Sequence, residues 1–103
     1  MRNFIVYVIA FFMISGTWAQ AQPFTMPKLN YSYDALEPFI DAQTMEIHYS
    51  KHHQAYLNNL NKAVNDSKMT DWTLEELLLN AERRSPAIRN NAGGHYNHTL
   101  FWS

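Results

Sequence analysis

The chain is 103 residues long with a formal net charge of −1, a size that allows one small domain or part of a larger one. Of its eight Lys and Arg only Arg83 and Arg84 adjoin, so the clustered cations that nucleic-acid binding requires are missing and no such partner is expected. Cysteine is absent, which excludes disulfides, thiolate metal sites and cysteine nucleophiles.

The first segment reads as a secretory leader. Arg2 is a short positive start, residues 4–14 are an unbroken apolar run, and Ala19-Gln20-Ala21 offers small residues for cleavage. A spanning helix needs about 20 apolar residues, so residues 1–21 are expected to be a cleavable signal peptide, not an anchor. The domain then occupies residues 22–103, secreted or periplasmic, and free of the membrane after cleavage.

Residues 22–38 carry Pro23, Phe24, Pro27, Tyr31, Tyr33 and Pro38. The prolines disfavour helix and predict an extended arm, and its aromatics need cover from the body of the protein. Residues 41–64 predict one long helix, capped by Asp41 or Thr44 and closed by the turn-forming Asn65-Asp66-Ser67. Met45, His48, His52, Tyr56, Leu60 and Ala63 recur at three- or four-residue steps and are expected on one face. Lys51, Asn58, Asn61 and Lys62 are expected towards water.

Thr73 and Glu76 make a capping box for a second, short helix, with Trp72 and Leu77 at the spacing of a hydrophobic staple. Its buried side is Leu74, Leu77, Leu78 and Ala81, and Arg83-Arg84 marks its end. Ser85-Pro86, a cap followed by proline at the first helical position, opens a third helix. Gly93-Gly94 inside it costs about 1 kcal/mol per glycine. Either the helix breaks there, or the missing side chains let another group approach closely.

All five histidines fall into two short clusters, His48, His52 and His53 in the first helix, His95 and His98 in the third. Imidazoles four or three apart share a helical face and can serve zinc, copper, iron or manganese. Spacing alone leaves His48, His52, His95 and His98 as candidates, and interior packing is the competing reading for each. His53, about 100° round the helix from His52, is expected to be structural. The H-E-x-x-H, G-x-S-x-G, P-loop and dinucleotide-binding patterns are all absent.

Three blocks in order resemble the iron/manganese superoxide dismutases: residues 24–38, residues 45–56 with their His48 and Lys51-His52-His53-Gln54-Ala55-Tyr56, and residues 90–102 with Gly93-Gly94-His95 and His98. The resemblance implies a mainly α chain, the N-terminal antiparallel helical hairpin of that fold, with the family's α/β C-terminal domain missing from this chain. It implies metal-dependent disproportionation of superoxide to oxygen and hydrogen peroxide. By position, His48 and His98 match metal ligands, His52 and Tyr56 match residues gating the substrate channel and its proton network, and Trp102 matches an aromatic wall. Gly94 stands where iron-type members carry glutamine, so manganese is the expected metal, with iron as the alternative.

The family's other two ligands, an aspartate and a histidine, belong to the second domain. This stretch alone is therefore expected to be an inactive fragment of a protein that forms a homodimer or tetramer at full length. Asn30 replaces a usual proline and Tyr49 a frequent histidine. The rival readings are a non-catalytic secreted hairpin, incomplete or a pseudo-enzyme, and an exported metal-carrier module built on the His48/His52 pair.

Overall fold

The computed structural model describes residues 20–103. The positive start and apolar run of the expected leader lie outside the described residues. The elements are α1 (Ala42–Ile47), a π-helical turn (His48–His53), α2 (Gln54–Asp66), α3 (Leu74–Leu78), a 3-10 turn (Ala81–Arg83) and α4 (Pro86–Trp102).

The first three are one continuous rod, because the junction residues Ile47, His48, His53 and Gln54 all keep right-handed helical dihedrals. Asp41 caps it. The carboxylate accepts from the Thr44 backbone N–H at 2.8 Å and from the Thr44 hydroxyl at 3.0 Å, and these bonds hold its pKa below the usual carboxylate value.

The structure corrects the expected buried face. The buried stripe runs through Met45, His53, Leu57, Leu60, Asn61, Ala63 and Val64, while His52 and Tyr56 are left exposed. Asn61, expected towards water, is buried.

Thr73 and Glu76 form the capping box, at 3.2 Å and 2.8 Å. The helix it opens is shorter than its pattern suggested. Asn80 takes left-handed dihedrals, φ 56°, and separates α3 from the 3-10 turn that reaches Arg83. Trp72 is partly exposed, and the Arg84 guanidinium lies over its ring, 4.4 Å from the centroid.

Ser85 accepts from the Ile88 N–H and Pro86 occupies the first turn of α4. That helix runs through Gly93-Gly94 without a break. The rod and α4 pack antiparallel, with His48 near Trp102, Tyr56 near Gly94, and Leu60, Ala63 and Val64 grouped with Ile88 and Ala92. Leu77 of α3 closes this cluster, and Phe24, Met69, Leu74 and Leu78 pack round it. Each large aliphatic side chain taken fully from water there contributes about 1.5–3 kcal/mol, which outweighs the two glycines.

The arm is tied to the rod by side chains. Asn61 accepts from the Phe24 N–H at 3.1 Å and donates to the Phe24 carbonyl at 3.0 Å, pairing with one residue as a neighbouring strand would. The Tyr49 hydroxyl donates to the Pro27 carbonyl at 2.6 Å. Among the described residues no helix is long and apolar enough to cross a membrane.

Candidate metal centre

The open end of the hairpin gathers imidazoles and aromatic rings. The π turn supplies His48 and His53, and the last two turns of α4 supply His95, His98, Phe101 and Trp102. The His48 and His98 ring centroids lie 4.8 Å apart, one from each helix. Trp102 and Phe101 each stand edge-on to His48, with centroids at 4.9 Å. A cleft of about 190 Å³ opens beside them, lined by His48, Asn97, His98 and Phe101. A larger cavity of about 450 Å³, lined by Trp72, Glu76, Leu79 and Arg84 among others, contains no histidine and lies at α3.

His98 Nδ1 sits 2.7 Å from the Gly94 carbonyl oxygen. A carbonyl only accepts, so Nδ1 carries a proton, and Nε2 is the nitrogen left to face a metal. This is the arrangement metal-binding imidazoles show, one nitrogen oriented by a carbonyl and the other left basic. His48 has its pKa lowered by burial, then by the neighbouring His98 and His52, which favours the neutral ring. Two imidazoles on facing helices fit a divalent or trivalent redox ion. Among the described residues no group of three or more His, Cys, Asp or Glu completes a coordination set.

His52 is exposed, and its ring centroid lies 6.4 Å from that of His48. Tyr56 lies 5.2 Å from His98 and is 37 % exposed. The sequence-predicted residues are thus split, with His48, His98 and Trp102 in close contact and His52 and Tyr56 at the solvent margin. Tyr56 is packed against Gly94, where any Cβ would collide with its ring. Close approach is therefore the reason for Gly94, whereas a Cβ on Gly93 meets nothing within 4 Å.

His53 and His95 meet in the interior at this end. His53 is fully buried, and its Nε2 is 2.8 Å from His95 Nδ1. Trp102 Nε1 donates to His53 Nδ1 at 2.9 Å. Burial, then His95, His98 and His48, lower the His53 pKa to about 4, and burial followed by His98 lowers that of His95. The four-residue step Met45, Tyr49, His53, Leu57 was the signal available in the sequence, and it competed with the equally regular step through His48, His52 and Tyr56.

Comparison with known proteins agrees with this architecture. Residues 23–103 match the family model "Iron/manganese superoxide dismutases, alpha-hairpin domain". A superoxide dismutase [Mn] of Pseudomonas putida is 51% identical over 86 residues, 79% of this chain and 42% of the relative. Superoxide dismutase [Mn] 2 of Bacillus anthracis is 54% identical over 84 residues, 77% of this chain and 40% of the relative. A superoxide dismutase [Fe] of Raoultella planticola is 51% identical over 84 residues, covering 77% and 49% respectively. The chain spans less than half the length of these curated relatives. With its helical hairpin and the match from residue 23 to residue 103, the chain belongs to the iron/manganese superoxide dismutase family.

Proposed function

We propose that the full-length protein disproportionates superoxide to oxygen and hydrogen peroxide, and that this chain contributes His48 and His98 to its metal. The observation that supports this most is the 4.8 Å approach of those two rings, with His98 Nε2 left to face a metal by the Nδ1 bond to the Gly94 carbonyl. Manganese is the proposed metal, with iron as the alternative; relatives named for manganese, for both metals and for iron all resemble the chain at similar identity. When bound, the ion supplies the one-electron oxidation and reduction that disproportionation requires.

The chain's own residues have separate tasks. His48, through Nε2 or Nδ1, and His98, through Nε2, would hold the ion. The apolar edges of Trp102 and Phe101 limit water on one side of His48. Tyr56 and His52, both reaching solvent, are placed to admit the anion and pass protons from the Tyr56 hydroxyl and the His52 ring to the departing peroxide. The aspartate and third histidine come from a second domain of the full-length protein, which forms a homodimer or tetramer. Residues 1–21 direct it out of the cytoplasm, as a secreted or periplasmic enzyme.

Metal analysis of full-length variants tests the ligand assignment. His48→Ala and His98→Ala should each abolish stoichiometric metal, whereas His52→Ala should retain the metal and lose turnover. An empty site in His52→Ala beside a filled one in His48→Ala would transfer the assignment to the His48/His52 pair.

A further inference from the structure

The buried pair His53 and His95 has no task in the proposed reaction, yet its hydrogen bonds run in one direction only. Indole Nε1–H donates and never accepts, so His53 Nδ1, 2.9 Å away, must present its lone pair. A neutral His53 with a free Nδ1 carries its proton on Nε2. That proton points at His95 Nδ1, 2.8 Å away, which must then accept. His95 in turn carries its own proton on Nε2. One tautomer of each ring satisfies the chain, and a doubly protonated His53 would set two donors face to face at Trp102. Burial of His53, His95 and Trp102, all 5 % exposed or less, keeps water from substituting for either bond.

We infer that His95 and His53 are positioning residues, a fixed-tautomer relay that locks the Trp102 indole against His48. The chain of contact is His95 to His53 to Trp102 by hydrogen bonds, then Trp102 to the His48 ring, edge-on at 4.9 Å. Removing the acceptor at His95 leaves the His53 Nε2–H buried without a partner. Shifting that proton to Nδ1 lets Nε2 avoid the penalty, but Nδ1–H then opposes the indole N–H. The indole must turn, and the wall on His48 moves with it. The meaning of that wall for a metal rests on the function proposed above; the relay itself does not.

Nitrogen-15 NMR of the full-length protein, stripped of metal with a chelator, reads both parts. In the unsubstituted protein His53 should show protonated Nε2 and bare Nδ1; the opposite tautomer or a cationic ring at pH 7 overturns the relay without any variant. His95→Phe should move the Trp102 indole proton upfield and displace the His48 ring-proton resonances through the changed ring current. His95→Gln, whose side-chain oxygen can accept from His53 Nε2, should restore both. A His95→Phe protein with native circular dichroism and unmoved Trp102 and His48 signals would overturn the inference. None of these readings depends on dismutase activity, so an inactive protein with the relay intact would defeat the proposed function alone.

Discussion

Gly94 and Tyr56 meet across the hairpin so closely that only a hydrogen fits between the α4 backbone and the phenol ring. Gly93, one residue earlier, faces open space. The two glycines thus occupy the same helix for different reasons, and alanine should separate them. Gly93→Ala should gain up to about 1 kcal/mol from helix propensity alone. Gly94→Ala gains the same propensity but forces the Tyr56 ring away, an overpacking cost of about 1–3 kcal/mol, so it should be neutral or destabilising. Urea midpoints of both variants decide the matter; equal stabilisation would show that the ring yields freely.

The hairpin should lose stability in mild acid. The unfolded His53 takes up a proton near its ordinary 6.5, whereas the folded ring resists until about 4. Its folded pKa is depressed, so the stability it contributes is present above about pH 6.5 and drains away as pH falls towards 4. Between pH 7 and pH 5 this one ring accounts for about 2 kcal/mol, and His95 and His48, lowered for the same reason, add to it in the same direction. Metal-free samples unfolded in urea across that range should show the decline. A flat profile would mean that His53 is hydrated or charged in the folded chain.

Asn61 holds the arm by satisfying both polar groups of Phe24. Asn61→Ala leaves a part-buried N–H and carbonyl without that partner, at a cost of about 1–3 kcal/mol. Tyr49→Phe removes only the bond to the Pro27 carbonyl and should cost about 1 kcal/mol. Limited proteolysis should nick residues 22–38 faster in Asn61→Ala than in Tyr49→Phe. Equal resistance in both variants would show that packing of Phe24 alone retains the arm.

The isolated 103-residue chain should have no dismutase activity beyond that of free metal ions. Two imidazoles beside an open cleft leave the remaining positions of an ion to water and exchange, with weak affinity and an untuned potential. Metal-loaded chain assayed with a chelator present is the measurement. Chelator-resistant turnover approaching one site per chain would contradict the expectation.

Helix starts are legible in the amino-acid sequence, because a cap is a local event. Asp41, Thr73 with Glu76, and Ser85-Pro86 each satisfy N–H groups within three or four residues, and all three act where their spacing placed them. The histidine clusters are equally visible as clusters. What local sequence does not encode is which imidazole faces which helix. That is decided by antiparallel packing, which takes the face of Met45, His53 and Leu57 inwards, leaves His52 outside, and sets His98 and Trp102 opposite His48.

The composition and order of residues alone determined three helices behind a proline-rich arm and no thiol chemistry, and the family likeness implied the hairpin and pointed to His48 and His98. Tertiary structure alone decided that Gly94 leaves its side-chain space to Tyr56, that Asn61 turns inwards to pair with Phe24, and that His53 and His95 are joined. The division has one physical reason. Caps and turns are settled by neighbours along the chain, whereas burial, ring orientation and tautomer depend on groups 37 to 49 residues away that meet only once the helices have packed.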